Sequence, residues 1–399
     1  MKKSNIYILI TLLSNFFGFS LTISQIVRSD SSFWDASLPE LKNYKVYYLK
    51  TLENLQEEKR MLIERGIEDG ERILQREPDR NIVDDILIRL ADLYYFKEKD
   101  DYLDQMEQYN REFDRSLQDP SFPVGEQPTL DFSHTFSLYQ RIVNEFPESD
   151  KVDDAIYNIG FLYEEQGNPD RAHQFYLHLI NKYPESDYIV EAYMRLGEYF
   201  FNPPRNDINR AITYYNKVLK ERQSTHYNEA LYKLGWSYYR LEKYPEAISY
   251  FTNLVENLTY RKILQNKSDG ASVDLFDEAL EYIAVCFMDF GGLGDILDYL
   301  HKINNPVWGE QVLDEFGDIY FKKREEYGKA INTYNALLAY NPDSPQAPVI
   351  QKKIVNCYSA LGDEKQAYMS RKKLFETYSL ESTWWERMGQ IDALETAYN

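Results

Sequence analysis

The tetrapeptide Pro-Glu-Ser-Asp occurs twice, at Pro147 and again at Pro184, 37 residues on. Each copy introduces a similar segment, "KVDDAIYNIGFLYEE" after the first and "YIVEAYMRLGEYFF" after the second. In the first, Ile156, Ile159, Gly160 and Tyr163 recur at i, i+3, i+4 and i+7, which is one face of a helix. "QGNPD" (Gln166–Asp170) is then a turn, with Pro169 placed to open a second helix. That helix carries Ala172, Tyr176 and Leu179 and stops before Pro184. One unit is therefore a helical hairpin of about 34 residues with a short linker. A lone hairpin cannot bury its own apolar face, so the core must form between copies. A chain written this way is confined to an all-α array.

The spacing returns at Leu231, Leu234, Gly235, Tyr238, Ala247, Phe251 and Leu254. It returns at Tyr193, Leu196, Gly197, Phe200, Ala211 and Tyr215 with two extra residues in the turn "NPPRND". A further copy at Leu313, Phe316, Gly317, Tyr320, Ala330, Tyr334, Leu337 and Pro342 has one extra residue. Weaker copies are Leu87, Leu90, Ala91, Tyr94 and the final Ile354, Tyr358, Ala367, Leu374. The Leu280–Phe287 copy keeps its first helix, while "DFGGLGD" departs from the expected turn. These lengths and small or aromatic positions resemble the tetratricopeptide repeat. The resemblance implies a right-handed α-solenoid of about six to seven hairpins with no strand.

The organisation expected along the chain is as follows. Residues 1–24 form a signal peptide or N-terminal anchor: Met1-Lys2-Lys3 precedes an apolar run, and Thr22-Ile23-Ser24 is the best small-residue cleavage site. The run is roughly 19 residues, just long enough to span a bilayer if uncleaved. Either way the rest is expected to be exported, and no cysteine near the run offers a lipid-attachment point. Residues 25–81 read as a leading amphipathic helix, with Gly70 on an exposed face. Residues 82–146 hold a first hairpin at about 82–117, a Pro-rich loop (Asp119–Asp131) and an extra helix. Residues 147–258 are the well-matched units. Residues 259–306 hold an insertion loop (Asn266–Asp274) and the degenerate unit, and 307–399 the C-terminal units with a closing helix.

Composition narrows the role. The 65 acids against 45 bases give a net charge of −20, which repels nucleic acid and anionic lipid. The 35 tyrosines spread along the chain argue against disorder. Cys286 and Cys357 sit in apolar helical patterns as small hydrophobes, and no Cys/His cluster signals zinc. No HExxH, phosphate loop or nucleophile elbow is present, and "GGLG" (Gly291–Gly294) lacks the lysine a phosphate cradle needs. Neither a catalytic residue, a metal site nor a cofactor is expected. An all-helical cell-wall glycan enzyme is the alternative from another class, and it would need two carboxylates facing each other across a cleft.

The order of segments, closing on "STWWERM", resembles exported tetratricopeptide proteins of bacterial cell envelopes, of outer-membrane assembly, Tol–Pal or gliding-motility type. The resemblance implies a non-catalytic scaffold, periplasmic or outer-membrane-associated, that holds a partner peptide or helix in a concave groove. A membrane-anchored adaptor is the variant if the N-terminal run is retained. In such arrays the first helix of each hairpin lines the groove. Mapped here, that implies Tyr157, Phe161, Glu164 and Glu165, then Glu191, Met194, Glu198 and Phe201, then Glu229, Tyr232, Trp236, Tyr239 and Arg240. Tyr232, Trp236 and Tyr239 fall at i, i+4 and i+7, a stripe distinct from the core stripe. Aromatics flanked by acids suit a protein partner with apolar and basic contact residues.

Overall fold

A computed structural model describes residues 38–265 and 270–388, and every regular element among them is helical. The expected leader at 1–24 lies outside the described residues. The chain divides into two compact units, Met1–Tyr199 and Phe200–Asn399.

The first unit holds α1 (Leu38–Gln75), α2 (Val83–Gln118), α3 (Ser133–Glu145), α4 (Val152–Glu165) and α5 (Pro169–Lys182), and the boundary falls inside α6 (Ile189–Phe201). Each of α1 to α4 packs on the next. The hairpin expected at 82–117 is instead the single helix α2. The physical reason is plain: no Gly or Pro interrupts 83–118, and the charged stretch "KEKDD" is as compatible with helix as with a turn. The exposed Gly70 is a second correction. A Cβ there would lie 2.7 Å from Leu90 Cδ2 and 2.9 Å from its Cγ, and one at Gly66 would lie 2.9 Å from Leu93 Cδ1. Two glycines one turn apart thus let α1 lie against the buried Leu90 of α2. The Pro-rich segment 119–132 is irregular, as its composition requires.

The second unit holds α7 (Ile208–Val218), α8 (Tyr227–Arg240), α9 (Tyr244–Gln265), α10 (Gly270–Phe290), α11 (Leu293–Lys302), α12 (Gly309–Asp318), α13 (Tyr327–Tyr340), α14 (Ala347–Ala360), α15 (Glu364–Tyr378) and α16 (Thr383–Met388). Packing again follows sequence neighbours, and α10 also meets α12. The insertion loop expected at Asn266–Asp274 is helical from Gly270 onward, while 266–269 lie outside the described residues. "DFGGLGD" does not break the pair but turns it tightly, Gly291 and Gly292 alone separating α10 from α11. Of the closing helix, Thr383–Met388 is described, with Trp384 buried against Tyr378.

The repeat register is visible in the turns. Asn168, Asp207 and Asp363 cap α5, α7 and α15, each side chain accepting from a backbone N–H three residues on. The residue ending each turn takes a left-handed backbone: Gly167 (φ 71°), Glu242 (φ 58°) and Gly362 (φ 73°). Gly167 and Glu242 lie seven residues after Gly160 and Gly235, the small residues of their first helices. Counting back equally from Gly362 puts Val355 at that place in α14. In the Gly317 copy the left-handed residue is Glu325, one later, and α12 runs into a π-helical turn at Ile319–Lys323. The single extra residue in that copy is absorbed there, as π-turns commonly do. The small residues are small because a second-helix ring covers them. A Cβ would lie 2.8 Å from Tyr176 at Gly160, 2.5 Å from Phe251 at Gly235 and 2.4 Å from Tyr334 at Gly317.

Candidate functional site

In the first unit the inner faces of α2 and α4 flank a cleft of about 560 Å³. Leu93, Tyr95, Phe96, Phe161 and Leu162 supply its apolar lining, and Arg89, Asp92, Asn158 and Tyr139 its polar groups. Phe161, one of the residues the resemblance marks for partner contact, lines this cleft. Its ring sits 5.9 Å from that of Tyr95. Asp92 is accessible to solvent and accepts a 2.9 Å hydrogen bond from Tyr139 Oη. Burial by the surrounding walls raises its carboxyl pKa, and the tyrosine bond opposes that rise.

The acids expected beside Phe161 are engaged within the unit. Arg195 lies 3.2 Å from Glu191 and 3.6 Å from Glu164, with its guanidinium 5.6 Å from the Phe161 ring centroid. Tyr176 Oη donates to Glu164 at 3.0 Å. Burial raises the Glu164 pKa, and Arg195 and Tyr176 act against it. Lys99 reaches Glu165 at 2.5 Å. Tyr157 is buried, stacked on Tyr188 with centroids 4.5 Å apart. Glu198 is half-buried in α6 and engaged in further interactions. Arg195 and Lys99 were not among the expected site residues. The i, i+4 spacing of Glu191 and Arg195 was the available sign.

In the second unit the aromatic stripe of α8 faces α10. The Trp236 ring lies 4.2 Å from that of Tyr282, and Tyr239 lies 6.0 Å from the same ring. Tyr232 donates to Glu278, and Tyr239 donates to Asp289 at 3.0 Å. All three stripe residues are half-buried. They form the seam between two neighbouring first helices, with their hydroxyls at its edge. Glu229 is bridged by His226 at 3.1 Å. Arg240 donates to the Phe201 carbonyl and to Asn206 Oδ1, each at 2.9 Å, and stacks over the Phe201 ring at 4.6 Å.

A further polar cluster joins α12 to α14. Lys353 Nζ lies 2.6 Å from Asp314 and 2.8 Å from Asp318, and Tyr334 Oη donates to Asp318 at 2.6 Å. Burial works to lower the Lys353 pKa, but its two carboxylate bonds outweigh that and leave it raised. Burial likewise works to raise the Asp318 pKa, and bonds from Lys322, Lys353 and Tyr334 bring it below the usual range.

Cys286 and Cys357 are buried and free, their thiols pushed up to about 12 and about 11, first by burial. Such thiols are inert small hydrophobes. Among the described residues no group of His, Cys, Asp or Glu is placed to hold a metal ion, and no helix is long and apolar enough to cross a membrane.

The tetratricopeptide repeat family matches residues 154–186 and 229–257. These stretches cover α4 with α5 and α8 with most of α9. No curated protein matches the sequence. Among solved structures the chain is similar to PilF of Pseudomonas aeruginosa, at 17% identity over 60% of this chain and 98% of that one, with a TM-score of 0.29. It is also similar to PilW, described as a type IV pilus biogenesis factor, at 14% identity over 63% and 100%, TM-score 0.29. A third is YrrB, described as a TPR protein with an unusual peptide-binding site, at 18% identity over 54% and 97%, TM-score 0.32. Scores this low carry nothing about the site.

Proposed function

We propose that this all-α chain, a protein-interaction scaffold built on tetratricopeptide repeats, holds a segment of another cell-envelope protein in the cleft between α2 and α4. The carrying observation is the cleft itself: about 560 Å³, lined by Leu93, Tyr95, Phe96, Phe161 and Leu162 on the inner faces of two neighbouring helices. A recess of that size takes two or three apolar side chains of an extended or helical segment, the usual economy of peptide recognition. The role is binding, without catalysis. Export would follow from the N-terminal Met1–Ser24 segment and would put the partner in the periplasm or at the outer membrane. The net charge of −20 favours a partner with basic residues and speeds its encounter.

Photo-crosslinking in intact cells tests this. A benzoyl-phenylalanine in place of Phe161 should capture one dominant envelope protein, and one in place of the exposed Leu117 of α2 should not. Equal capture from both positions would reject the cleft as the docking surface. Cytoplasmic fractionation of the chain, with Met1 retained and no envelope association, would reject the location.

A further inference from the structure

The first unit contains a carboxylate whose counterpart in the second unit holds a cation. Asp318 directly follows Gly317, the small residue of its first helix, and accepts from the second-helix Tyr334 at 2.6 Å. Asp92 directly follows Ala91, the equivalent small residue, and accepts from the second-helix Tyr139 at 2.9 Å. Asp318 is completed by Lys353 at 2.8 Å, which stands two residues before Val355 in the next first helix. Two residues before Gly160, in the first helix that follows Asp92, stands Asn158. In the Gly197 copy the same place holds Arg195, again paired to acids. Asn158 turns its amide back to the Asp154 carbonyl at 3.0 Å, and Asp92 makes no ion pair among the described residues.

We propose that the cleft receives a lysine or arginine side chain of the partner segment, its cation completing the Asp92–Tyr139 pair as Lys353 completes Asp318–Tyr334. This rests on the cleft being the docking surface. Three features favour that occupant. Asp92 and Asn158 both line the cleft, so a cation entering from it meets the carboxylate directly. The apolar lining suits the methylene stem of such a side chain. A second carboxylate, Asp154, interacts electrostatically with Asp92 and adds to the field that a cation would relieve. Arg89 also lines the cleft but is exposed and forms no ion pair with Asp92.

The test uses the full chain and two fluorescein-labelled peptides, Leu-Phe-Lys-Phe-Leu amide and its norleucine twin, followed by anisotropy. The lysine peptide should bind at least about tenfold more tightly, the scale of one desolvated charge-assisted bond. Asp92→Asn and Asn158→Lys should each abolish that preference, the latter by supplying the cation internally. Equal binding of both peptides to the parent chain would overturn the cation proposal and leave the cleft as a docking surface. Binding of neither would overturn both. A measurement without peptide checks the repeat equivalence: Asn158→Lys should lower the Asp92 carboxyl titration followed by ¹³C NMR. An unchanged titration would refute it.

Discussion

Replacing Gly235 by alanine sets two effects of opposite sign against each other. In a helix interior alanine is favoured over glycine by about 0.8–1.0 kcal/mol. Here the new Cβ would lie 2.5 Å from Phe251 Cε1 and 2.7 Å from both Cδ1 and Cζ, closer than real methyl groups approach a ring. Phe251 has no room to retreat. It is wholly buried, with Tyr282 stacked 5.7 Å away and Tyr232 edge-on at 6.2 Å. Overpacking of this kind costs about 1–3 kcal/mol net, so Gly235→Ala should lose about 1–2 kcal/mol. Gly235→Leu should lose more. Repeat arrays unfold in parts, so the measurement should be local: native-state hydrogen exchange at Leu234 and Leu254 alongside urea melts. Gly328→Ala is the control, since nothing lies within 4 Å of a Cβ there, and it should be neutral or stabilising by up to about 1 kcal/mol. Gly70→Ala should behave like Gly235, because the buried Leu90 meets its Cβ. Adding Phe251→Leu to Gly235→Ala should recover about 1 kcal/mol relative to additivity. A Gly235→Ala chain as stable as the parent, with the Gly328 control behaving, would refute the assigned hairpin crossing.

Trp236→Ala should cost about 2–3 kcal/mol in denaturant melts, below the roughly 3–5 of a fully buried ring, because Trp236 is half-buried against Tyr282. Unchanged melting would return it to the groove as a free anchor. Glu242→Gly should stabilise by up to about 1 kcal/mol, since Glu242 holds φ 58° at a cost glycine does not bear, and a lower thermal midpoint would contradict this. Asp154 has its carboxyl pushed up to about 6, first by burial and then by Asp153. The folded chain therefore holds that proton more firmly than the unfolded one, whose carboxyl titrates near about 3.9. The contribution favours folding at low pH and is lost as pH rises through about 6. Asp154→Asn should raise the thermal midpoint at pH 7 by the equivalent of about 1 kcal/mol, after allowance for solvent screening, and flatten the slope between about pH 4 and 6. An unchanged slope would exclude Asp154 as its source.

The fold was legible where local chemistry repeats. Gly160, Gly235 and Gly317 could be placed from spacing alone, because a second-helix ring covers each, at the same offset for the first two and one residue further for Gly317. The single extra residue near Gly317 could be counted too, though not that it would enter the first helix as a π-turn. Legibility failed where the repeat lapses. Val83–Gln118 offers charged residues that a turn or a helix accepts equally, and only the absence of Gly and Pro argued for one long helix. Gly70 looked exposed because nothing in the α1 sequence shows that Leu90 lies against it.

The site was harder to read, since a groove position fixes the direction of a side chain but not its neighbour. Tyr232, Trp236 and Tyr239 share one face of α8, and that same face is where α10 arrives. Glu164 and Glu191 were legible as acids on an inner face, yet Arg195 answers both. In two copies the cation two residues before the small position, Arg195 or Lys353, answers an acid of the copy before, so an inner-face acid is informative only together with the next copy. Glu164 and Glu191 are accounted for by Arg195, Asp314 and Asp318 by Lys353, Glu165 by Lys99 and Glu229 by His226. Asp92 differs because the next copy writes asparagine at the position where three later copies write a cation, Arg195, Lys233 and Lys353. A partly desolvated carboxylate facing an open cleft, with one hydroxyl for company, is held at a free-energy cost that a bound cation removes. If the cleft takes the cation we propose, Asn158, more than the aromatic stripe that follows it, is where specificity for a partner is written.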